Sequence, residues 1–450
     1  MLSVLIPVLL LLGIILIKKI PYIGGEIRIG LAASACAALL LGGVFSPVDW
    51  LKAAVDGLDR LSWVMALALF GSIYAESQVE LGTMNTVLDS LRARFGRSPK
   101  GLVVCIMIAL IIAGSLLGDA IASATVIGVL VIAALNELKL KPEQISAIIV
   151  MGACLGSIMP PITQAFFLSS SLMGLPSPDP VVNIGYFTIG LGSVICCFYA
   201  AHWFVKVDSL PEELIPKKHA LQIIRENWVQ LIPLTVLVVI IVLRSGFKIE
   251  VLNILNPVFA PIKSIPILKG LDYAIVKAII VALVISYFFA PVRKNGLAVM
   301  KRGLQNVKIS LGIQACAAFM IGAFYAGGQI TYVQEFAKGL SEHLLKLGGA
   351  AAMTLIGMLT GSQTTAQTAI FTFFGPALQA IGVEPVHAAL AGAHLAMAGQ
   401  GLPPADLTTF VVAGMIGGIL GIKVDPVKSM FYSAVMCVYF LIVGLIFLYV

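Results

Sequence analysis

The sequence predicts an all-α polytopic membrane protein, made of inverted-topology repeats with broken helices and re-entrant hairpins. Three observations carry that prediction. The 450 residues are 59% hydrophobic and 11% charged, with a mean hydropathy of +1.02, whereas a soluble domain carries roughly a quarter charged residues. The apolar residues come in long continuous blocks, not in the short alternating segments of a membrane barrel. A double proline, the strongest helix breaker available, interrupts this apolar material twice, at Pro160–Pro161 and at Pro403–Pro404.

The elements follow in order along the chain. Leu2–Ile17 has no cationic region before it and no small-residue cleavage site after it, so a retained helix is expected in preference to a cleaved signal peptide. Lys18 and Lys19 form the first basic loop, and Ile29–Gly43 is the second spanning block. Phe45–Leu58 carries mixed charge and reads as an intervening segment before a block at Ser62–Tyr74 with some extension. Arg92, Arg94, Arg97 and Lys100 precede the block Leu102–Ala113. Residues 114–171 hold short or broken elements, followed by the block Val182–Phe204. Glu212–His219, with Lys217 and Lys218, is the expected junction between halves. Beyond it come Trp228–Leu243, a mixed-charge segment at Ile249–Leu271, and Tyr273–Phe289. A basic loop of Arg293, Lys294, Lys301 and Arg302 leads to Val307–Tyr325; Leu355–Gly421 is broken again, and Met430–Leu448 closes the chain. That makes roughly eleven to thirteen membrane elements, given the ~20 residues a full span needs. The expected division is an N-terminal half over 1–205, a cytoplasmic linker over 206–226 and a C-terminal half over 227–450. Basic loops mark the cytoplasmic side and place the N-terminus outside. The net charge of +7 is attributed to those loops and not to a nucleic-acid surface. Seven cysteines without a CxxC read as small hydrophobes, with neither disulfides nor metal expected.

The double prolines belong to a repeat. A shift of 243 residues lays Gly114–Pro161 over Gly357–Pro404 without a gap, with 12 of 48 positions identical. Gly114, Gly118, Thr125, Ile127, Pro142 and Gly156 meet Gly357, Gly361, Thr368, Ile370, Pro385 and Gly399, and the prolines coincide. The first copy follows a basic loop and starts inside; the second follows the charge-balanced Glu335–Lys346 and starts outside. Oppositely oriented copies with discontinuous helices are the pattern of secondary transporters, whose sites form near the midplane where the breaks meet.

Each copy has a glycine-bracketed polar stretch, GSLLGDAIASAT or GMLTGSQTTAQT, in addition to its Pro–Pro element. Broken helices free backbone carbonyls, which in hydrocarbon need an occupant or a polar cavity. Na⁺, a hard cation that prefers oxygen, suits carbonyls near Gly118, Pro160, Gly361 and Pro403. The candidate substrate and ion site therefore comprises Gly118, Asp119, Ser123, Thr125, Gly156, Pro160, Pro161, Thr163 and Gln164 from the first copy. The second copy supplies Gly361, Ser362, Thr364, Thr365, Gly399, Gln400, Pro403 and Pro404, with Ser115 and Thr408 nearby. Helix N-termini at the breaks could face an anionic group. Asp119 either binds a cation or proton directly, caps a helix, or enters a salt bridge. Asp406 has a functional role or starts the next helix, and the apolar setting of His394 favours a satisfied buried histidine over a titrating group. His387 is expected at an interface, and Glu76 and Glu80 in a solvated helix end. Motifs of hydrolases, metalloproteases and nucleotide-binding enzymes are absent from the sequence, so no enzyme activity and no cofactor other than the coupling ion is expected.

Several stretches resemble the large permease subunit of tripartite ATP-independent periplasmic (TRAP) transporters, of the dicarboxylate and sialic acid type. Gly57–Tyr74, Gly82 and RFGRSPKG look like the family's early block; ATVIG at Ala124–Gly128 resembles AAAIG, and GSIMPPI resembles G-x-I-x-P-P. IGVEPVH at Ile381–His387 is close to LGIDPVH, with Pro376 nine residues before Pro385, and GLPPAD stands where the second half carries its double proline. The resemblance implies a Na⁺-driven elevator transporter of the bacterial inner membrane, with cations at two hairpin clefts. It implies as partners a small four-helix membrane subunit and a periplasmic solute-binding protein that delivers a small organic anion. The hairpin pattern SGSxxAD reads Leu117–Ser123 here, so the family Asp falls on Ser123 and an Asp appears at Asp119; D-x-T-P reads Ser362–Thr365, lacking the Asp and Pro. These departures touch substrate and ion, not fold. The alternatives are a stand-alone H⁺- or Na⁺-coupled carboxylate or gluconate-like permease, a homodimer in that case, and, from another class, a passive channel or membrane scaffold.

Overall fold

The structure, a computed structural model, describes residues 2–17, 19, 21–211, 215, 218–247 and 249–450. Lys18 of the first basic loop, and residues 212–214, 216 and 217 of the expected junction, lie outside the described residues. Among the described residues every regular element is helical. Among those residues six helices are long and apolar enough to cross a membrane, and five further apolar helices are shorter, at 10–17 residues. All nine blocks read as spanning from the sequence are helices, from Leu2–Leu16 to Pro426–Tyr449.

One segment departs from its expectation. Phe45–Leu58 is not an intervening segment: from Pro47 onward it is the start of a 35-residue helix, Pro47–Leu81. Its charges hid an amphipathic turn. Asp49 and Lys52 pair at 3.1 Å on the exposed face, while Ala53 and Gly57 are buried. At a 1.5 Å rise this helix is about 52 Å long, well beyond the ~30 Å hydrocarbon core. It lies against Gly296–Ala326, its counterpart in the second half. The two backbones touch: a Cβ on Gly57 would fall 1.8 Å from the Ala318 carbonyl oxygen, and one on Gly322 1.8 Å from that of Ala53. Small residues permit this approach, the usual device of membrane helix pairs. The mixed-charge segment after Phe247 does form a connector, made of the 3₁₀ turns Val251–Leu255 and Leu268–Asp272 with the short α-helix Asn256–Lys263 between them.

Each half then runs through the same succession. After its long helix comes a left-handed glycine (Gly82 at φ +77°, Gly328 at +76°) and a short amphipathic helix, Thr83–Phe95 or Gln329–Lys338. A hairpin follows, with a first arm of 19 residues in both copies, Pro99–Leu117 and Glu342–Thr360. Ser98 and Ser341, again 243 apart, cap these arms by accepting the N–H groups of Gly101 at 3.1 Å and Leu344 at 3.3 Å. The second arm is Ala120–Glu137 in the first copy. In the second it is Gln363–Ala366, a π-helical stretch Gln367–Phe371, and Thr372–Ala380.

The helices that lead into the double prolines, Pro142–Ile158 and Pro385–Gly401, have 17 residues each, and Pro at the first helical position explains their sharp start. Every residue is buried from Ile145 to Ile158 and from Ala388 to Gly401, which is why both are apolar on all faces. They form the centre of the molecule. The helices after the prolines exchange partners: Gln164–Leu172 packs on Pro385–Gly401, while Leu407–Leu420 packs on Ala120–Glu137 and Pro142–Ile158. The two halves are thus interlocked around their breaks.

Candidate functional site

At each hairpin tip the first arm ends in glycine. Gly118 sits at φ +65° and Gly361 at +63°, and their N–H groups return to the carbonyls of Gly114 at 2.7 Å and Gly357 at 2.8 Å. Glycine takes this left-handed conformation without the Cβ penalty. The next residue caps the second arm. Asp119 accepts the Ala122 N–H at 2.7 Å, and Ser362 accepts the Thr365 N–H at 3.3 Å. Of the three roles open to Asp119, the cap is built.

The Pro–Pro helices reach the tips by crossing their own hairpins at glycine. A Cβ on Gly114 would lie 2.6 Å from the Gly156 Cα, and one on Gly357 2.8 Å from that of Gly399. Both Pro–Pro bonds, Pro160–Pro161 and Pro403–Pro404, are cis. Two residues on from the first proline, the chain passes directly over the tip. The Ile162 N–H donates to the Ser115 carbonyl at 3.1 Å. The Ile162 carbonyl oxygen lies 3.2 Å from where a Gly118 Cβ would be, and that of Ala405 only 1.9 Å from a Gly361 Cβ. Ile162 and Ala405 are themselves 243 residues apart, so each tip glycine carries a backbone carbonyl laid over it by the proline turn. Thr163 and Asp406 then cap the next helices. Thr163 accepts from the Phe166 N–H at 3.5 Å; Asp406, fully buried, accepts the N–H groups of Thr408 and Thr409 at 3.1 Å each, and the Thr409 hydroxyl. Asp406 starts a helix.

Both tips face one cavity of about 520 Å³. Of the residues expected from the sequence, Gly118, Asp119, Thr125, Gln164, Gly361, Ser362, Thr364, Gln400 and Thr408 line it. Gln400 also holds the second tip in place, its Oε1 accepting the Gln363 N–H at 3.0 Å. The remaining residues stand behind that surface. Ser123 is fully buried and donates to its own helix at the Ala120 carbonyl, and Thr163 and Thr365 are fully buried. Gly156 and Gly399 make the helix crossings. Pro160, Pro403 and Pro404 are not among the cavity-lining residues, and Pro161 lines a separate small crevice beside Asp179 and Arg244. The prolines shape the site through the carbonyls that follow them and do not form its wall.

The sequence reading missed the side of the cavity opposite the tips. Ser72 and Glu76 from Pro47–Leu81, Asn306 from Gly296–Ala326, and Gln363 at the second tip all line it. Glu76 is no solvated helix end. Arg302 Nε donates to it at 2.9 Å and Asn306 Nδ2 at 2.8 Å, while Arg302 Nη2 reaches Glu80 at 2.6 Å. A long-range partner 226 residues away gives no local sequence signal. Gln363 could have been found beside Ser362 and Thr364 in the polar stretch. His394 is the satisfied buried histidine expected: its ring nitrogens meet the Leu390 carbonyl at 2.7 Å and the Thr188 hydroxyl at 3.1 Å, among Phe166, Phe440 and Phe447. His387 is half-buried beside Glu384 at 3.7 Å.

The fold has solved counterparts. The YdaH transporter of Alcanivorax borkumensis is similar over 98% of this chain and 97% of its own, with a TM-score of 0.64 at 14% identity. MtrF of Neisseria gonorrhoeae, from a class of antimetabolite efflux pumps, is similar over 91% of this chain and 85% of its own, with a TM-score of 0.61 at 13% identity. At such identities the likeness is one of fold. A search of curated protein sequences finds no match. Residues 6–450 match the family described as tripartite ATP-independent periplasmic transporter, DctM component. That match spans both hairpins, both double prolines and the long helices between which they sit: the chain belongs to the DctM family, the large permease component of tripartite ATP-independent periplasmic transporters.

Proposed function

We propose that this permease couples the uptake of a small organic acid, a C4-dicarboxylate or related carboxylate, to Na⁺, and that it does so by an elevator movement. Membership in the family makes it a multi-pass membrane transporter and not an enzyme, and implies a small membrane subunit and a periplasmic binding protein as partners. Its place is the bacterial inner membrane.

The observation that carries the proposal is the matched pair of tips on one cavity. At Gly118 and at Gly361 a backbone carbonyl is laid across a left-handed glycine, with a capping oxygen from Asp119 or Ser362 alongside. Carbonyl and hydroxyl oxygens are the ligands a hard monovalent cation prefers, and buried carbonyls at a helix break are costly unless occupied. A cation seated at each tip would draw the negative end of the substrate into the cavity between them, which is how Na⁺ occupancy and substrate binding become linked. The long pair Pro47–Leu81 and Gly296–Ala326 serves as the fixed wall. The hairpins and Pro–Pro helices form the moving body, interlocked by partner exchange so that both tips travel together. Ala220–Phe247, packed on Pro47–Leu81 and Thr83–Phe95, goes with the wall, and Asp179–Tyr199, packed on both Pro–Pro helices, with the moving body; polar ties between the two include Ser171 Oγ to the Arg60 carbonyl at 2.6 Å and Arg244 to Asp179.

The test is uptake by the full chain in liposomes, with its partner components supplied. Carboxylate accumulation should follow an imposed Na⁺ gradient and stop when that gradient is dissipated. Uptake that is indifferent to Na⁺ would remove the coupling claim, and non-saturating flux would favour a channel.

A further inference from the structure

We propose that Arg60, lying on Tyr325, becomes the substrate-facing wall in the opposite state of the transport cycle, where its guanidinium takes one carboxylate of an incoming diacid. This rests on the transport reading above and adds a specificity residue that the present cavity does not contain.

The two long helices repeat as the hairpins do. A shift of 246 residues lays Gly57–Gly82 over Gly303–Gly328, so that Gly57–Leu58 meet Gly303–Leu304 and the left-handed Gly82 meets Gly328. The offset falls to 243 beyond this point because the amphipathic helix that follows has 13 residues in the first half and 10 in the second. Contacts obey the same rule. Gly57 packs on Ala318, and the image of that pair is joined as well, Ser72 Oγ donating to the Gly303 carbonyl at 2.8 Å. The helix pair therefore has a two-fold axis, which passes near Met65 and Leu311.

Apart from Ile313, the cavity's lining on this pair lies to one side of the axis, within residues 68–79 of the first helix and 306–309 of the second. That side adjoins the basic loops, which mark it as cytoplasmic. The images of Val79, Asn306 and Ile309 are Tyr325, Arg60 and Trp63, none of them in the cavity lining. Helix Gln164–Leu172 covers them: Trp63 is 2% exposed beneath Phe167, with ring centroids 5.4 Å apart, and Ser171 holds the Arg60 carbonyl at 2.6 Å. Phe410, the image of Phe167, is 46% exposed. Images that differ in burial are what an inverted repeat shows in one of its two states. Exchanging them buries Phe410 against Ile309 and uncovers Arg60 and Trp63 to the tips.

The exchange changes the chemistry opposite the tips. In the present state that wall offers the Asn306 amide and Glu76, whose charge Arg302 answers at 2.9 Å. In the other it offers a guanidinium, and Gly322, the image of Glu76, brings no carboxylate. Arg60 lies over the Tyr325 ring at 3.9 Å and has no salt bridge among the described residues. Of the acids beside it, Asp59 is held by Lys269 and by the Ile267 N–H at 3.1 Å. Asp56, the image of Arg302, is exposed one turn away and makes no salt bridge among the described residues. The arginine fork matches a carboxylate, which a neutral amide holds less strongly. A diacid thus binds with one carboxylate toward the cations at the tips and the other on Arg60. Return to the cytoplasmic side replaces the guanidinium by Asn306 and loosens that second carboxylate, which favours release.

The test uses proteoliposomes of the full chain with its membrane subunit, under an inward Na⁺ gradient. Uptake is titrated with binding protein loaded outside with succinate, malate or the monoacid pyruvate. Arg60→Gln should raise the half-saturating concentration about tenfold for the two diacids, equivalent to ~1.4 kcal/mol, and less than twofold for pyruvate. Arg60→Lys keeps the charge without the fork and should recover part of the loss. The melting temperature of both variants should hold, since Arg60 is exposed and Ser171 bonds to its backbone. A split between diacid and monoacid is not what a merely structural arginine would produce. If Arg60→Gln does not assemble, Arg60→Lys carries the test, its loss again confined to diacids. An unchanged half-saturation in Arg60→Gln, or equal losses for diacids and pyruvate, would overturn the proposal. Na⁺-dependent uptake by the unaltered protein separates the cases. If it is present, the assignment of Arg60 alone has failed; if no acid is taken up with Na⁺, the transport reading falls and this proposal with it.

Discussion

Gly399 rests against Gly357 with no room for a side chain. A Cβ on Gly399 would lie 2.4 Å from the Thr354 carbonyl oxygen and 2.9 Å from the Gly357 Cα. The same contact recurs between Gly156 and Gly114, where a Cβ on Gly156 would lie 2.8 Å from the Gly114 Cα. Backbone cannot yield as a flexible side chain can, so the helix itself must shift. Gly399→Ala and Gly156→Ala should therefore each cost ~1–3 kcal/mol, the usual range for overpacking. The loss is to be read as a lower melting temperature of the purified protein. Both positions lie behind the cavity wall, so the Na⁺ dependence of any remaining uptake should keep its shape.

The two tips make a sharper comparison. Alanine at Gly118 or Gly361 meets the same left-handed penalty, ~1–2 kcal/mol. Their surroundings differ: the nearest atoms to an added Cβ are 3.2 Å away at Gly118, whereas at Gly361 the Ala405 carbonyl is 1.9 Å away. Gly361→Ala must push that carbonyl aside. It should raise the Na⁺ concentration needed for half-maximal uptake several-fold more than Gly118→Ala does. Equal effects in uptake titrated with Na⁺ would show that the carbonyl over the second tip is not a cation ligand.

These pairs explain how much of the molecule is legible in its sequence. Residues at the breaks announce themselves by type, since a double proline or a tip glycine means the same thing wherever the chain later goes. Hence the repeat, the hairpins and half of the cavity wall can be read from spacing, including Asp119, Gln164, Ser362 and Gln400. The wall facing them cannot. Glu76 and Asn306 lie on long helices whose charges look like loop chemistry, and they are brought together by a helix pairing across 230 residues. The charged start of Pro47–Leu81 misleads for the same reason: Asp49 and Lys52 are solvated while Ala53 and Gly57, on the other face, pack against backbone. Nor does local sequence show that the prolines act through Ile162 and Ala405, since a carbonyl's aim depends on the turn that precedes it.

Arg244, on the helix Ala220–Phe247, holds Asp179, on Asp179–Tyr199, through a two-point bond, Nη1 to Oδ1 at 2.8 Å and Nη2 to Oδ2 at 2.5 Å, a tie between the two bodies of the proposed elevator. The side chains are 23% and 37% exposed, so solvent screening limits the pair to ~1 kcal/mol or less. That is small for folding yet enough to shift a two-state equilibrium several-fold. At ~1.4 kcal/mol per tenfold, losing a screened pair of this strength in Asp179→Asn should change the uptake rate by about two- to fivefold, with little change in melting temperature. The exchanged pair Asp179→Arg with Arg244→Asp should return the rate toward the original. The Arg244 contact with Glu250 at 3.2 Å does not reach Asp179 and should not restore it.

Arg302 sets the charge at Glu76, on the wall opposite the tips, without being part of the cavity lining. Replacing it by Gln leaves Glu76 with Asn306 as its neutral donor and an unopposed negative charge facing the substrate. The pair is half-exposed on the arginine side, at 43%, and 17% exposed on the Glu76 side, which places the perturbation near the surface-to-intermediate range of ion pairs. Fold stability should therefore fall only modestly. Binding should change by sign: succinate should weaken in Arg302→Gln and recover as ionic strength rises, because screening acts on an added repulsion. A substrate with a positive end should lose less than succinate does. If succinate binds Arg302→Gln and the unaltered protein equally at low salt, then Glu76 does not act on the ligand.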